Sequence, residues 1–171
     1  MVYTVTFNPA VDYIVHTKQL IAGATNRSDS EEIYFGGKGI NVSIVLSELG
    51  VKSKALGFVA GFTGEAIEKG VAEKGIDADF VHLNEGFSRI NVKIKSGEET
   101  ELNGQGPKIT DEAIRELYAK LDEIQDGDTL VLAGSIPSSL PADIYERILE
   151  RLSGKKIRAV VDATKDLLLN T

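Results

Sequence analysis

Short apolar runs and amphipathic stretches alternate along most of this chain, and that order limits its folds more than any other feature. Residues 2–7, 53–59, 80–83, 129–133 and 157–161 are brief runs rich in branched apolar side chains, the mark of strands buried on both faces. Between them, residues 38–49, 64–74, 110–124 and 141–152 carry helical patterns. Gly50 and Gly75 are natural stops for the first two, and Thr110 can cap the third, with Asp111 and Glu112 in its first turn. That helix buries Ala113, Ile114, Leu117, Tyr118, Leu121 and Ile124, and Pro141 opens the fourth. Alternation of this kind predicts an α/β fold, a mostly parallel sheet with helices on both faces. Two extended stretches break the rule. Residues 11–20 and 27–35, and the pair 89–95 and 99–102 around Ser96-Gly97-Glu98, are half-polar and fall outside the alternation. They form either a small separate sheet or surface hairpins.

With 171 residues the chain can bury roughly two thirds of its unfolded surface, enough for one core. No cysteine is present, which excludes disulfides and thiolate metal sites and fits a cytoplasmic home. His16 and His82 stand alone, without zinc spacing. The first residues are strand-like rather than a basic head with an apolar signal core, and no apolar run nears the roughly 20 residues that span a bilayer. A net charge of −7 disfavours nucleic acid and anionic membranes as partners. An anionic ligand would have to be drawn in by local cations.

Those cations can be sought around Gly36-Gly37-Lys38-Gly39-Ile40-Asn41, where an extended segment meets a helix. The glycines allow a sharp turn and close approach of backbone N–H groups to a ligand. The helix aims its positive end at the same place. Lys38 adds a charge and Asn41 an amide, so the loop suits a small polar anion. It is not a Walker loop, since Glu32 and Gly39 occupy the positions that need glycine and Ser/Thr. Nor is it a dinucleotide fingerprint, because Val42 stands in place of the third glycine and the loop does not follow the first strand. A nicotinamide-dependent oxidoreductase is accordingly disfavoured.

The run Gly36-Gly37-Lys38-Gly39-Ile40-Asn41-Val42-Ser43, followed by Gly50, resembles the first signature of the PfkB, or ribokinase-like, carbohydrate kinases. Four other segments are similar to the phosphofructokinase and tagatose-6-phosphate kinase branch: Thr6-Phe7-Asn8-Pro9-Ala10-Val11-Asp12, Arg89-Ile90-Asn91-Val92-Lys93, Glu101-Leu102-Asn103-Gly104 and Ala133-Gly134-Ser135-Ile136-Pro137. The resemblance implies a ribokinase-like Rossmann-type sheet with a small β-sheet lid made from segments at about 11–35 and 87–103. It implies transfer of the γ-phosphoryl of ATP, with Mg2+, to a ketohexose phosphate, fructose 1-phosphate first, and pairing of lids in a homodimer. Asp12 would accept hydrogen bonds from neighbouring sugar hydroxyls, with Gly36, Gly37 and Asn41 completing the grip. Arg27 and Arg89 would read the phosphate, since the guanidinium fork matches phosphate oxygens. Lys38, Asn103 and Ser135 resemble further pocket positions. Ser135 has no His or acid at triad-like spacing and is not expected to be a nucleophile.

One part of the pattern is missing. The family's catalytic aspartate lies in a Gly-Ala-Gly-Asp segment, and none occurs in residues 1–171. Asp126-Gly127-Asp128 falls between a helix and a strand, at the wrong end of the sheet, and Asp162 is family-like without being the base. The chain is therefore expected to be the N-terminal part of a single domain, stopping within a helix begun at about residue 165, with nucleotide and magnesium sites beyond Thr171. Two functional readings stand: part of an ATP-dependent sugar-phosphate kinase, or a truncated module that binds sugar phosphate without transferring phosphate.

Overall fold

The computed structural model describes residues 1–162. The expected helix from about residue 165 lies outside them. In chain order the elements are β1 (Val2–Thr6), β2 (Ala10–His16), β3 (Ser30–Gly36), α1 (Lys38–Glu48), β4 (Ser53–Ala60), α2 (Gly61–Ala72), β5 (Asp77–Ala78), β6 (Val81–Leu83), β7 (Arg89–Ser96), β8 (Glu98–Asn103), α3 (Asp111–Asp122), β9 (Thr129–Ala133), α4 (Ile144–Arg151) and β10 (Arg158–Asp162). Two helix starts differ by three residues from the sequence expectation, and in the polar segments β2 ends at His16 rather than residue 20 and β3 begins at Ser30 rather than residue 27. Helix α2 begins three residues before Gly64, and α4 begins three residues after Pro141. Pro137–Leu140 and Pro141–Ile144 each close a hydrogen-bonded turn, so the second proline starts a turn rather than the helix.

The main sheet runs β10-β9-β1-β4-β5, with β6 pairing further along β4, and every pairing is parallel. On one face Val5, Phe7, Leu56, Phe58, Leu130 and Leu132 meet α3 and α4 through Leu117, Leu121, Ile144 and Ile148. Phe7 stacks between Phe58 and Tyr145, with ring centroids 6.2 and 5.3 Å away. On the other face Ile40, Ala55, Val59, Ile67 and Val71 form a second core beneath α1 and α2. This is the ribokinase-like α/β arrangement, with its apolar strands covered on both sides as the unbroken runs required.

The polar extended segments make one four-stranded sheet, ordered β3-β2-β7-β8. Strands β2 and β7 pair in parallel, flanked by antiparallel β3 and β8. The sheet is thus assembled from two separate insertions, one between β1 and α1 and the other between β6 and α3. Register sets Tyr34, Asp12, Asn91 and Asn103 side by side across the four strands, with Glu32, Ile14, Lys93 and Glu101 in the next row of the same face. The opposite face carries Phe35, Val11 and Ile90, which join the second core. Further out on that face Ile33 and Leu102 are exposed.

Candidate functional site

Strands β4 and β5 lie to one side of β1, and β9 and β10 to the other, so the strand order reverses between β1 and β9. Loops diverge at such a point and leave a crevice at the carboxyl ends of the strands. A cleft of about 230 Å³ lies there, lined by Thr6, Phe7 and Asn8 after β1, Gly37 and Lys38 opening α1, Arg89 opening β7, Ala133, Gly134 and Ser135 after β9, and Asp162 ending β10.

Gly37 turns the chain into α1 at φ 137°, and a Cβ on it would lie 2.5 Å from Thr6 Cγ2. Gly39 packs as closely: its Cβ would meet Thr6 Oγ1 at 2.6 Å and the Val5 carbonyl oxygen at 2.7 Å. This close approach lets Ile40 N–H donate to Thr6 Oγ1 at 3.0 Å. Helix α1 has neither a side-chain cap nor an acidic residue in its first turn, so its own first turn supplies no carboxylate to its positive end. Lys38 Nζ lies 3.2 Å from Asp162 Oδ2 at the cleft mouth, both side chains about half exposed. Gly134, at φ 110°, lets the β9 loop pass 3.6 Å from Lys38 Cβ, measured from its ideal Cβ position. Tyr145 holds that loop by donating to the Gly134 carbonyl at 2.9 Å. Burial, with Asp162 nearby, pushes the Tyr145 hydroxyl up to about 12, so it stays a donor at any physiological pH.

Arg89 is half-buried. Its Nε donates to the Asn8 carbonyl at 3.0 Å, and among the described residues its terminal nitrogens have no hydrogen-bond acceptor. Burial lowers the pKa of the guanidinium while the Asp12 charge raises it; a group that titrates this high remains a cation. The carboxylate of Asp12 accepts from Asn91 Nδ2 at 2.9 Å through Oδ1. Its Oδ2 approaches Gly36, where a Cβ would stand 3.4 Å from it and 3.3 Å from Asn41 Oδ1. Two polar side chains therefore converge beside Gly36 on the approach to Gly37.

Gly37, Lys38, Arg89 and Ser135 thus share the cleft, and Asp12, Gly36 and Asn41 form an adjoining polar group. Asn103 ends β8 opposite Asn91 on the Asp12 face, exposed, with its amide directed to Glu101 Oε2 at 3.4 Å. Arg27 is not part of the cleft in one chain. It lies exposed in the connection beyond the far end of the seven-residue strands β2 and β3, on the order of 20 Å along the strand from Ala10. Asp128 serves structure: it accepts from the Met1 ammonium at 2.6 Å and from Gln125 N–H at 2.9 Å. Thr6, Asn8 and Asn91 fall within the segments that carry the resemblance but were not singled out as site residues. Thr6 and Asn8 carried a second signal, their position at the end of the first buried strand.

Residues 5–168 match the profile of the pfkB family carbohydrate kinases. The chain is 51% identical over 169 residues to the 1-phosphofructokinase of Bacillus subtilis, covering 99% of this chain and 55% of that protein. It is 38% identical to the D-tagatose-1-phosphate kinase of Bacillus licheniformis, covering 99% and 56%. Escherichia coli phosphofructokinase-2, crystallised with substrates and products, superimposes with a TM-score of 0.91 at 25% identity, over 98% of this chain and 55% of that one. The chain spans about half the length of the relatives it matches. The tagatose enzyme is named for the 1-phosphate of its sugar. Motif, fold and overall similarity agree: this chain belongs to the pfkB family of carbohydrate kinases.

Proposed function

We propose that these residues form the sugar-phosphate half of an ATP-dependent ketohexose-phosphate kinase that converts fructose 1-phosphate to fructose 1,6-bisphosphate. The observation that carries this is the pairing of two cationic side chains, Arg89 and Lys38, on one cleft beside the Asp12–Asn41 group. The cations suit a phosphate, and Arg89 can offer its terminal nitrogens as a fork. The carboxylate and amide suit adjacent ring hydroxyls, held alongside the amides at the start of α1. Gly36 and Gly37 keep that approach free of side chains. Arg27 and Asn103 extend the proposed site, Arg27 from a lid formed by the four-stranded sheet. The exposed Ile33 and Leu102 on the outer part of that sheet support pairing of lids in a homodimer.

ATP and Mg2+ belong to the proposed reaction as phosphoryl donor and charge-neutralising ion. Among the described residues no group of three or more His, Cys, Asp or Glu side chains stands together, and the magnesium site is assigned in this proposal to the part of the relatives' length that this chain does not span. The catalytic base is likewise assigned to sequence beyond Thr171, where the relatives extend. The part played by this chain is to bind the sugar phosphate, orient it and exclude water. Among the described residues no helix is long and apolar enough to cross a membrane, and a cytoplasmic setting completes the proposal.

The test is turnover by the full-length protein with ATP and either fructose 1-phosphate or tagatose 1-phosphate. A higher kcat/KM for fructose 1-phosphate is expected; preference for the other ketose would replace the substrate while keeping the site. Arg89→Ala removes a charge-assisted hydrogen bond of about 1.5–3 kcal/mol and should raise KM for the sugar phosphate roughly ten- to hundredfold. An unchanged KM would remove Arg89 from the phosphate site. The alternative, a binding module, is favoured if the full-length protein binds the sugar phosphate in calorimetry yet releases no ADP from ATP.

A further inference from the structure

Asn91 is 8% exposed and faces Asp12 across the parallel β2–β7 register. Its amide nitrogen donates to Asp12 Oδ1 at 2.9 Å, while its amide oxygen is buried without a partner among the described residues. An ionised carboxylate offers only lone pairs, so the NH2 group must be the side turned toward it. A bare buried acceptor costs stability, and an apolar side chain of similar size would fill the same space without that cost. Packing therefore does not account for an amide at this position. Its one hydrogen bond goes to Asp12.

That bond has a geometric consequence. The terminal torsion of an aspartate is broad, and an unrestrained carboxylate swings between orientations. With Oδ1 pinned by Asn91, Oδ2 is left toward Gly36, where Asn41 Oδ1 also converges; no hydrogen bond joins Asp12 and Asn41. We propose that Asn91 is a positioning residue for sugar recognition, locking the Asp12 carboxylate so that Oδ2 is presented to the ring hydroxyls. It acts through Asp12 and does not itself touch the ligand. This rests on the reading of Asp12 as the hydroxyl acceptor, and the experiment separates the two.

The groups facing Asp12 bear on the design. Tyr34 stands opposite on β3, and Gly36 adjoins it at the end of that strand. Arg89 and Lys93 on β7 both carry charges that interact with Asp12, and Lys93 is paired with Glu101 of β8 at 3.2 Å. In Asn91→Asp the donor becomes a second carboxylate of the same shape. Two adjacent carboxylates resist ionising together, so the pair holds a shared proton to higher pH than a lone carboxyl would. That proton restores an O–H···O bond to Asp12.

Binding of fructose 1-phosphate and of ATP is measured by calorimetry from pH 5.5 to 8.5. The proteins are the full-length wild type, Asn91→Asp, Asn91→Leu, Asp12→Asn and the Asp12→Asn/Asn91→Leu double variant. Each value is taken relative to wild type, which cancels titration of the sugar phosphate itself. At pH 8 Asn91→Asp and Asn91→Leu should each bind the sugar phosphate about tenfold more weakly, with ATP affinity unchanged. The Asn91→Asp deficit should shrink as pH falls, and the Asn91→Leu deficit should not. In the Asp12→Asn background, Asn91→Leu should cost less than about twofold more, because the group it positions is gone. Wild-type affinity in both Asn91 variants, with Asp12→Asn weakened, overturns the positioning role alone. So does an Asn91→Leu deficit that persists undiminished beside Asp12→Asn. Wild-type affinity in Asp12→Asn, or no binding of fructose 1-phosphate by the wild type, defeats the reading of the site and the role of Asn91 with it. Should Asn91→Leu fail to fold, the pH profile of Asn91→Asp decides.

Discussion

Gly57 lies in the middle of β4 at φ 151°, and a Cβ there would fall 2.0 Å from the Thr6 carbonyl oxygen. The obstacle is backbone of a neighbouring buried strand, which has no rotamer to move into. Gly57→Ala should therefore cost about 2–5 kcal/mol in urea unfolding, combining backbone strain with overpacking. Gly50→Ala is the contrast, since at φ 73° it has nothing within 4 Å and should cost about 1–2 kcal/mol from the left-handed backbone alone. Equal losses would show that the close approach of β4 to β1 is not tight. It matters to the site because the same Thr6 receives the Ile40 amide and lines the cleft. From the sequence, Gly36, Gly37 and Gly39 were legible as a turn built for close approach. Gly57 was not, because an isolated glycine inside an apolar run gives no hint of which neighbour presses on it.

Helices α1 and α3 begin in opposite ways, and the difference follows from their residues. In α3 the Thr110 hydroxyl accepts from Ala113 N–H at 3.3 Å, with Asp111 and Glu112 in the first turn. Thr110→Ala should lower stability by about 1 kcal/mol in thermal or urea unfolding, and Thr110→Ser should be close to neutral. Equal effects of the two would mean that the hydroxyl does not cap. In α1 none of these devices is present, which leaves its start open to the cleft. The cap of α3 was legible because it depends on neighbours in sequence. Strand β9 was legible to the residue for a similar reason, as an apolar run between a turn and a glycine. Strand β5 was missed: two residues are too few for any period, and only pairing with Lys54 and Ala55 makes them a strand.

Asp79 ties three parts of the molecule together, since it pairs with Lys54 of β4 at 3.4 Å and with Lys120 of α3. Burial pushes its carboxyl up, but the hydrogen bond from Lys120 and the charges of both lysines outweigh this and hold it below the usual range. A carboxyl depressed in the folded state stabilises the fold above its unfolded pKa and loses that contribution as pH falls through the lower folded value. Asp79→Asn should therefore be less stable than wild type at pH 7, on the order of 1 kcal/mol. The gap should close as pH drops below about 4, the ordinary aspartate value. A gap unchanged at pH 2 would mean the asparagine disturbs packing rather than charge. The small sheet is the other feature that belongs to the entire chain. Its two halves come from insertions far apart in sequence, and Asp12 bonds to a residue 79 positions away.

Order along the chain was enough to establish the α/β class, most element positions and the glycine turn with Lys38 and Asn41, because periodicity, caps and turn chemistry act over a few residues; Asp12 and Arg89 became site candidates through the resemblance of their segments to the pfkB family. Partnership across the chain was not accessible that way. Hydrogen bonds between distant strands leave no periodic trace, so the joining of β2 to β7, the pinning of Asp12 by Asn91 and the placement of Arg27 away from the cleft emerged from packing in three dimensions.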